Sequence, residues 1–346
     1  MRVTFVSFDD EPPQGGQGVM LRGMRRVLEV RDVETAVISG RGEHAVDFPN
    51  VTGRAPLDFS LWANRNPDAI THTHPDVVHV HGGPGGVLFL RRLDVPVVYT
   101  AHHTYRQAFV PSDPRRVLSP VEGLAYRRAS RILAVSDSTA DAVLAMRVPA
   151  SRVAVVPPGI DLPELRADLR EQGRMLFVGR LEREKGPLAA VRLMRRVLQR
   201  RPGWSAAVIG TGRLDRQVGE EASEYEQIEV MGRVDDATVA RELARASVLI
   251  MPSRFEGLGL VALEAQARQT PVVGYDVTGL RDAVRDGGTL VGEDDEEALY
   301  RAALRVLTDD GFAAELGRRG RQFVATEHSW DVVGTLLRQA YAAVRV

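Results

Sequence analysis

The chain has 346 residues, a hydrophobic content of 44%, a charged content of 26% and a formal net charge of −1. That length holds two domains of ordinary size, and the near-zero charge excludes bulk attraction to nucleic acid or to an anionic membrane. Cysteine is absent, which excludes disulfides and thiolate metal sites and fits a reducing, cytoplasmic setting.

Residues 2–8 (Arg-Val-Thr-Phe-Val-Ser-Phe) read as a first strand, with no leader pattern before it. No apolar run reaches membrane-spanning length. A loop, Asp9-Asp10-Glu11-Pro12-Pro13-Gln14-Gly15-Gly16-Gln17-Gly18, follows, and helical spacing starts at Val19, Leu21, Met24, Val27 and Leu28. A glycine-rich turn between a first strand and a first helix is where a doubly wound sheet receives its ligand. The pattern here, G-G-x-G, is neither the dinucleotide fingerprint nor a P-loop, and a flexible surface loop is the competing reading.

Residues 33–39 predict a second strand, whereas 40–75, rich in Pro, Asn and Gly, yield no assignable elements. Residues 76–81 predict a strand ending in Gly82-Gly83-Pro84-Gly85-Gly86, then a helix to Leu93. The next strand, 95–100, delivers Ala101-His102-His103 to its C-terminal edge, the ligand edge of a parallel sheet. A strand at 131–136, a capped helix at 137–146 and a strand at 153–156 complete the first half. Pro157-Pro158-Gly159-Ile160-Asp161-Leu162-Pro163 is a stiff hinge candidate. The alternation then restarts, with strands at 175–178, 206–209, 228–231, 248–251, 271–274 and 289–291, and helices such as 188–199 and 239–246 between them. Such alternation predicts two parallel sheets with covered faces. Residues 329–344 predict a last helix, with Val332, Val333, Leu336, Leu337 and Tyr341 apolar, able to return onto the first domain.

Four loops at the ligand edge of the second half carry the chemistry. In Gly179-Arg180-Leu181-Glu182-Arg183-Glu184-Lys185-Gly186, two cations sit beside a helix start. Arg180 can bridge two oxygens and Lys185 acts as a point charge, a combination suited to a diphosphate. Lys185 is the one lysine in a chain that otherwise uses arginine. Gly210-Thr211-Gly212 allows close backbone approach. Gly232-Arg233-Val234 offers backbone and an Arg plane to a base. The fourth, Ser253 through Ala265, follows the strand at 248–251 and reads as a glycine loop and then a helix: the N–H groups of Gly257, Leu258 and Gly259 stand near a helix start at Leu260. Glu256 and Glu264 are placed to accept from hydroxyls. Together the loops fit a ligand with a diphosphate, a ribose and a second polyol.

Taken in order, these motifs resemble glycosyltransferase family 4, the large retaining family of the two-Rossmann GT-B architecture. The resemblance runs almost end to end. It rests on Gly15-Gly16-Gln17-Gly18, His79-Val80-His81-Gly82, Thr100-Ala101-His102, Val156-Pro157-Pro158-Gly159-Ile160-Asp161, Gly179-Arg180 with Glu184-Lys185-Gly186, and Glu256 with Glu264. Pro158 departs from the family, where Asn is frequent. The resemblance implies an α/β GT-B fold: Rossmann-like domains at 1–160 (acceptor) and 161–328 (donor), facing across a cleft, and a C-terminal helix, 329–346, crossing back.

It also implies site roles. Arg180 and Lys185 bind the donor diphosphate, which Gly16 and Gly18 approach from the first domain. Glu256, Gly257, Leu258, Gly259 and Leu260 hold the donor sugar, and Glu264 takes the ribose hydroxyls. Gly210, Gly212, Arg233 and Val234 complete the donor site, with a UDP- or GDP-sugar as partner and no cofactor. His102 sits beside the sugar. From their position rather than from the resemblance, His103 and the Tyr105, Arg106 and Gln107 that follow it are expected to reach toward a hydroxyl-bearing acceptor set by residues 40–75 and 103–125. The implied mechanism is retaining transfer without metal, in which Arg180, Lys185 and the helix dipole stabilise the departing diphosphate. No acid–nucleophile carboxylate pair is required, unlike in glycosidases.

His72-Thr73-His74 and His79-Val80-His81 are both H-x-H, but no acidic ligand is obviously paired with them and loop or packing histidines are the commoner outcome. The pairs Arg25-Arg26, Arg115-Arg116 and Arg127-Arg128 lack interleaved aromatics for RNA, and a solvated surface competes with peripheral docking on a membrane. A nucleotide-sugar 2-epimerase on the same fold and a non-catalytic sugar-nucleotide binder are the alternative functions.

Overall fold

The computed structural model describes residues 1–13, 15–108 and 114–345. Gln14, in the predicted glycine loop, and residues 109–113, in the stretch expected to set the acceptor, lie outside the described residues. The chain forms two compact units: Met1–Gly159 with Trp330–Val346, and Ile160–Ser329.

In chain order the first unit contains β1 (Arg2–Ser7), α1 (Gly16–Glu29), β2 (Glu34–Ser39), α2 (Ala55–Arg65), α3 (Pro67–Thr71), β3 (Val77–Gly82), β4 (Val97–Ala101), α4 (Tyr105–Ala108), α5 (Ser119–Arg128), β5 (Arg131–Ala134), α6 (Asp137–Leu144) and β6 (Val153–Val155). Its six strands pair in parallel in the order β2-β1-β3-β4-β5-β6. Val78, Val80, Tyr99 and Ile132 meet Phe59, Tyr126 and Val143 in the core on one face.

The second unit contains β7 (Arg174–Val178), α7 (Pro187–Leu198), β8 (Ser205–Ile209), α8 (Asp215–Ala222), β9 (Ile228–Gly232), α9 (Asp236–Arg245), β10 (Val248–Met251), α10 (Leu260–Gln266), β11 (Val272–Tyr275), α11 (Thr278–Val284), β12 (Gly288–Val291), α12 (Glu296–Thr308) and α13 (Asp310–Glu327). The order here is β12-β11-β10-β7-β8-β9, again all parallel. β10 is buried along its whole length, as a strand covered by helices on both faces must be.

The last helix, α14 (Trp330–Ala342), belongs to the first unit and packs on α1. Its apolar stripe, Val333, Leu337 and Tyr341, is buried. Trp330 lies flat on two glycines: a Cβ on Gly23 would stand 1.9 Å from its ring and one on Gly159 2.2 Å from it. Arg31 closes the contact with Asp331, 2.7 Å away.

Two expectations need correction. Residues 40–75 are not structureless, since they hold α2 and α3. The predicted helix up to Leu93 is absent, and 87–93 run without regular structure. Side chains replace the missing helical hydrogen bonds: Leu88 N–H donates to Ser60 Oγ (3.1 Å), Phe89 N–H to Tyr99 Oη (2.6 Å) and Leu90 N–H to Asn64 Oδ1 (2.7 Å). Tyr99 Oη in turn donates to Phe89 O at 2.9 Å. Ser60 and Asn64 come from α2, so the segment is shaped by an element that composition concealed.

Candidate functional site

Strand order decides where a ligand belongs. In an open parallel sheet the crevice opens at the carboxyl ends of the two strands from which the chain winds in opposite directions. In the second unit those strands are β7 and β10. The loops leaving them are the two with the most chemistry.

After β7 the chain makes a short 3-10 turn, Arg183–Lys185, and passes through Gly186, whose φ of +67° is left-handed. Only glycine fits there, because a Cβ would stand 2.1 Å from Pro252 O. Gly186 thus lets the loop after β7 close on the loop after β10. Arg254 N–H ties the same loops by donating to Glu184 O at 2.8 Å. The result is a contact between Lys185 and Glu256, with Nζ 2.7 Å from Oε2 and side chains only 18% and 9% exposed. Lys185 also reaches Phe255 O at 3.4 Å, and Ser253 Oγ donates to the other Glu256 oxygen at 2.9 Å. Arg180 is exposed and meets Glu184 at 3.2 Å.

Gly257, Leu258 and Gly259 carry the chain from Glu256 to α10. Gly259 is left-handed (φ +68°, ψ +58°) and is the N-cap. The N–H groups of Gly257, Leu258 and Gly259 make no hydrogen bond to the described residues. A carboxylate, an ammonium and free amides therefore share one loop pair. Glu264 is half-buried on α10, and its backbone oxygen accepts from Arg268 at 2.8 Å. α10 ends at Gln266.

The loops after β8 and β9 differ from expectation in one respect. A Cβ on Gly210 would stand 1.9 Å from Gly179 O, and one on Gly212 2.5 Å from Leu181 O. The close approach these glycines permit is of one protein loop to another. Their N–H groups are already used, by Gly232 O (2.8 Å) and by Asp215 Oδ1 (2.6 Å). Arg233 is exposed and Val234 half-buried. Asp235, next in line, caps α9 through Thr238 N–H at 2.7 Å.

A cavity of about 320 Å³ adjoins the Gly186 turn, lined by Arg183, Arg192, Arg254, Tyr275 and Asp294 among others. A larger one, about 750 Å³, opens at the opposite end of the strands: Gln172, Ser247 and Pro271, which precede β7, β10 and β11, line it. Its size does not make it the active site, because strand polarity puts it at the wrong edge.

In the first unit the corresponding strands are β1 and β3. The loop after β1 is organised by Asp9, which accepts from Gly15 N–H and from Arg41 Nε, both at 2.9 Å. Gly16 is exposed at the start of α1. Gly18 is buried, and its missing side chain makes room for Asp9, whose Oδ2 would lie 2.8 Å from a Cβ.

At the carboxyl ends of β3 and β4, three imidazoles line up. His79 and His81 share a face, as alternation along a strand requires, with ring centroids 5.2 Å apart. His79 bonds Tyr341 Oη through Nδ1 (2.6 Å) and Thr100 Oγ1 through Nε2 (2.8 Å). His81 Nδ1 lies 3.0 Å from His102 Nε2. Burial, then the neighbouring imidazoles, push all three below the ordinary histidine value, His79 to about 3. They are neutral at pH 7. Both His79 nitrogens are taken by hydroxyls, and His72 Nδ1 meets Ala69 O at 2.6 Å. No three metal-ligating side chains cluster among the described residues.

Beyond His102 the expected acceptor contacts diverge. His103 is half-buried and Arg106 exposed, but Tyr105 is 5% exposed, which corrects the expectation that it is presented to an acceptor. Its N–H donates to Glu122 Oε2 at 3.0 Å, and Tyr126 Oη donates to Oε1 at 3.2 Å. Glu122 is fully buried, and burial raises its carboxyl to about 8. Sequence reading missed Asp9, Glu122 and the role of His81; nothing local marks an acid or an imidazole as buried. Members of the basic pairs are engaged at the surface: exposed Arg26 lies over Trp330, and exposed Arg127 and Arg128 donate to Met146 O and Leu90 O. No helix among the described residues is long and apolar enough to cross a membrane.

Comparison with known proteins agrees with this geometry. A family model for glycosyl transferases group 1 matches residues 172–309, and one for Glycosyltransferase Family 4 matches residues 14–164. A glycogen synthase of Mycobacterium tuberculosis is 30% identical over 287 residues, covering 78% of this chain and 69% of that protein. A D-inositol 3-phosphate glycosyltransferase of Actinosynnema mirum is 33% identical over 312 residues, covering 79% and 73%. Among solved structures, sucrose-phosphate synthase from Thermosynechococcus elongatus superposes with a TM-score of 0.78 at 20% identity, covering 99% of this chain and 98% of that one. HepE from Anabaena, in complex with UDP-glucose, superposes at 0.76 and 17% identity, covering 99% and 100%. The chain belongs to glycosyltransferase family 4, and its two parallel Rossmann-like sheets are those of the GT-B fold. It is a glycosyltransferase.

Proposed function

We propose that the chain is a retaining, metal-independent hexosyltransferase that takes a sugar from a nucleotide-diphosphate donor and passes it to a hydroxyl acceptor. The observation that carries this reading is the Lys185–Glu256 contact at the β7/β10 carboxyl edge. In this reading the half-buried Lys185 ammonium serves the diphosphate and the Glu256 carboxylate the sugar hydroxyls, with the amides of Gly257, Leu258 and Gly259 alongside. A UDP-glucose complex of the structurally similar HepE supports a nucleotide sugar, with UDP- and GDP-sugars the first donors to test.

Arg180, on an exposed loop, swings from Glu184 to the second phosphate, and the two cations hold the negative charge that grows on the leaving diphosphate. An oxygen of that diphosphate takes the proton of the acceptor hydroxyl on the face from which it departs. Glu256 orients the sugar and is not the nucleophile. Glu264 accepts from the ribose hydroxyls, and His102 contacts the donor sugar.

The test is a panel of UDP-, GDP-, ADP- and TDP-sugars, read first by thermal shift and then by nucleotide diphosphate release. One donor should raise Tm and be turned over, with equal rates in EDTA and with the anomeric configuration of the donor kept in the product. An inverted product or EDTA-sensitive turnover refutes the mechanism. Conversion to an epimer without an acceptor would make the chain an isomerase.

A further inference from the structure

His81 does more than fill the sheet. Its Nδ1 and His102 Nε2 are 3.0 Å apart, and both rings are neutral, so one proton lies between them. His81 Nε2 is buried with no hydrogen-bond partner among the described residues. His102 Nδ1 makes no hydrogen bond to the described residues. Were the shared proton on His102, His81 would carry its own on Nε2, an N–H buried without an acceptor. Orphaned buried N–H groups are rarer than orphaned acceptors, so the shared proton belongs to His81. His102 then has Nε2 occupied as an acceptor and its proton on Nδ1.

We propose that His81 is a positioning residue that holds His102 in the Nδ1–H tautomer, so that His102 meets the donor sugar as a hydrogen-bond donor and not as a proton-accepting base. His81 is itself held in place: its ring packs at a tilt against His79, centroids 5.2 Å apart, and His79 is pinned at both nitrogens by Tyr341 and Thr100. The chain of contacts runs from α14 to the end of β4. The functional half of the proposal rests on His102 being a sugar contact; the tautomer does not.

The full chain labelled with 15N-histidine reports the tautomer directly in long-range 1H–15N spectra, with His102 assigned by loss of its peaks in His102→Gln. His102 in the Nδ1–H form is expected; the Nε2–H form overturns the proposal, and does so without any variant of His81 having to fold. Two variants then separate positioning from packing. The amide nitrogen of His81→Asn falls near the imidazole Nδ1 and keeps the donor, so His102 should stay in its tautomer and turnover should fall by no more than about threefold. His81→Phe keeps the bulk but removes the donor. His102 should then move toward the Nε2–H form, with turnover down about tenfold, the lower range for loss of a supporting partner. Equal losses in both variants with an unchanged His102 spectrum would overturn the positioning role. A wild-type protein that turns over no sugar nucleotide sinks the proposed function and leaves the tautomer assignment to the spectrum.

Discussion

Lys185 Nζ lies 2.7 Å from Glu256 Oε2, an ion pair formed between loops that leave different strands, β7 and β10. The pair is mostly shielded from water, so salt screens it less than a surface pair. Double substitution, Lys185→Met with Glu256→Gln, should show a coupling energy of about 1 kcal/mol in denaturant unfolding, little changed by added salt. Additive single effects would mean that the two side chains do not interact.

Lys185→Ala and Arg180→Ala should each lower nucleotide diphosphate release about 100-fold, the range for removing one group that stabilises leaving-group charge. Arg180 is exposed and outside the core, so Arg180→Ala should leave Tm within about 2 °C of wild type. Wild-type turnover in either variant would contradict the assignment to the diphosphate.

Gly186→Ala should be far more damaging than its size suggests. The substitution forces a side chain into left-handed backbone and against Pro252 O, 2.1 Å away. A loss of about 1–3 kcal/mol in stability is expected, with a fall in turnover as Lys185 leaves Glu256. A stability equal to wild type would show that the two loops do not close on each other as described.

Acid should destabilise the first unit through His79. Its folded value, about 3, lies below the unfolded value of 6.5, so the unfolded chain binds more protons between them. The stability this group contributes is present above pH 6.5 and is lost as pH falls toward 3, at up to about 1.4 kcal/mol per pH unit. His79→Gln should flatten that slope in urea titrations from pH 6 to 4, while an unaltered slope would show that His79 is not buried neutral.

Glu122 gives the opposite trend. Its folded value, about 8, is above the unfolded 4.5, so stability is fully present below pH 4.5 and is lost as pH rises through 8. Glu122→Gln should therefore gain on wild type steadily between pH 5 and 8. A Tm difference independent of pH would remove the buried-acid assignment.

The strands of both units were legible in order because parallel strands covered on both faces read as short apolar runs, Val248 to Met251 being the plainest case. The glycines and cations of the β7 and β10 loops were legible for a similar reason: Gly186 and Gly259 occupy left-handed backbone that only glycine enters freely, and Lys185 stands alone in an arginine-rich chain. Less was legible wherever a partner far along the chain decides the outcome. Leu88, Phe89 and Leu90 look helical, but Ser60, Tyr99 and Asn64 supply their hydrogen bonds. Gly210 and Gly212 looked open to a ligand, and proved to be pressed against the neighbouring loop.

By itself, then, the sequence determined the alternation of strand and helix, the positions of the turns and the residue types offered at each loop, since all of these follow from local sterics and periodicity. Tertiary structure alone decided which loops meet. Strand order brought Lys185 to Glu256, and burial made Glu122 an acid held neutral and the three imidazoles a neutral row, because desolvation depends on what surrounds a group in space and not on its neighbours in the chain.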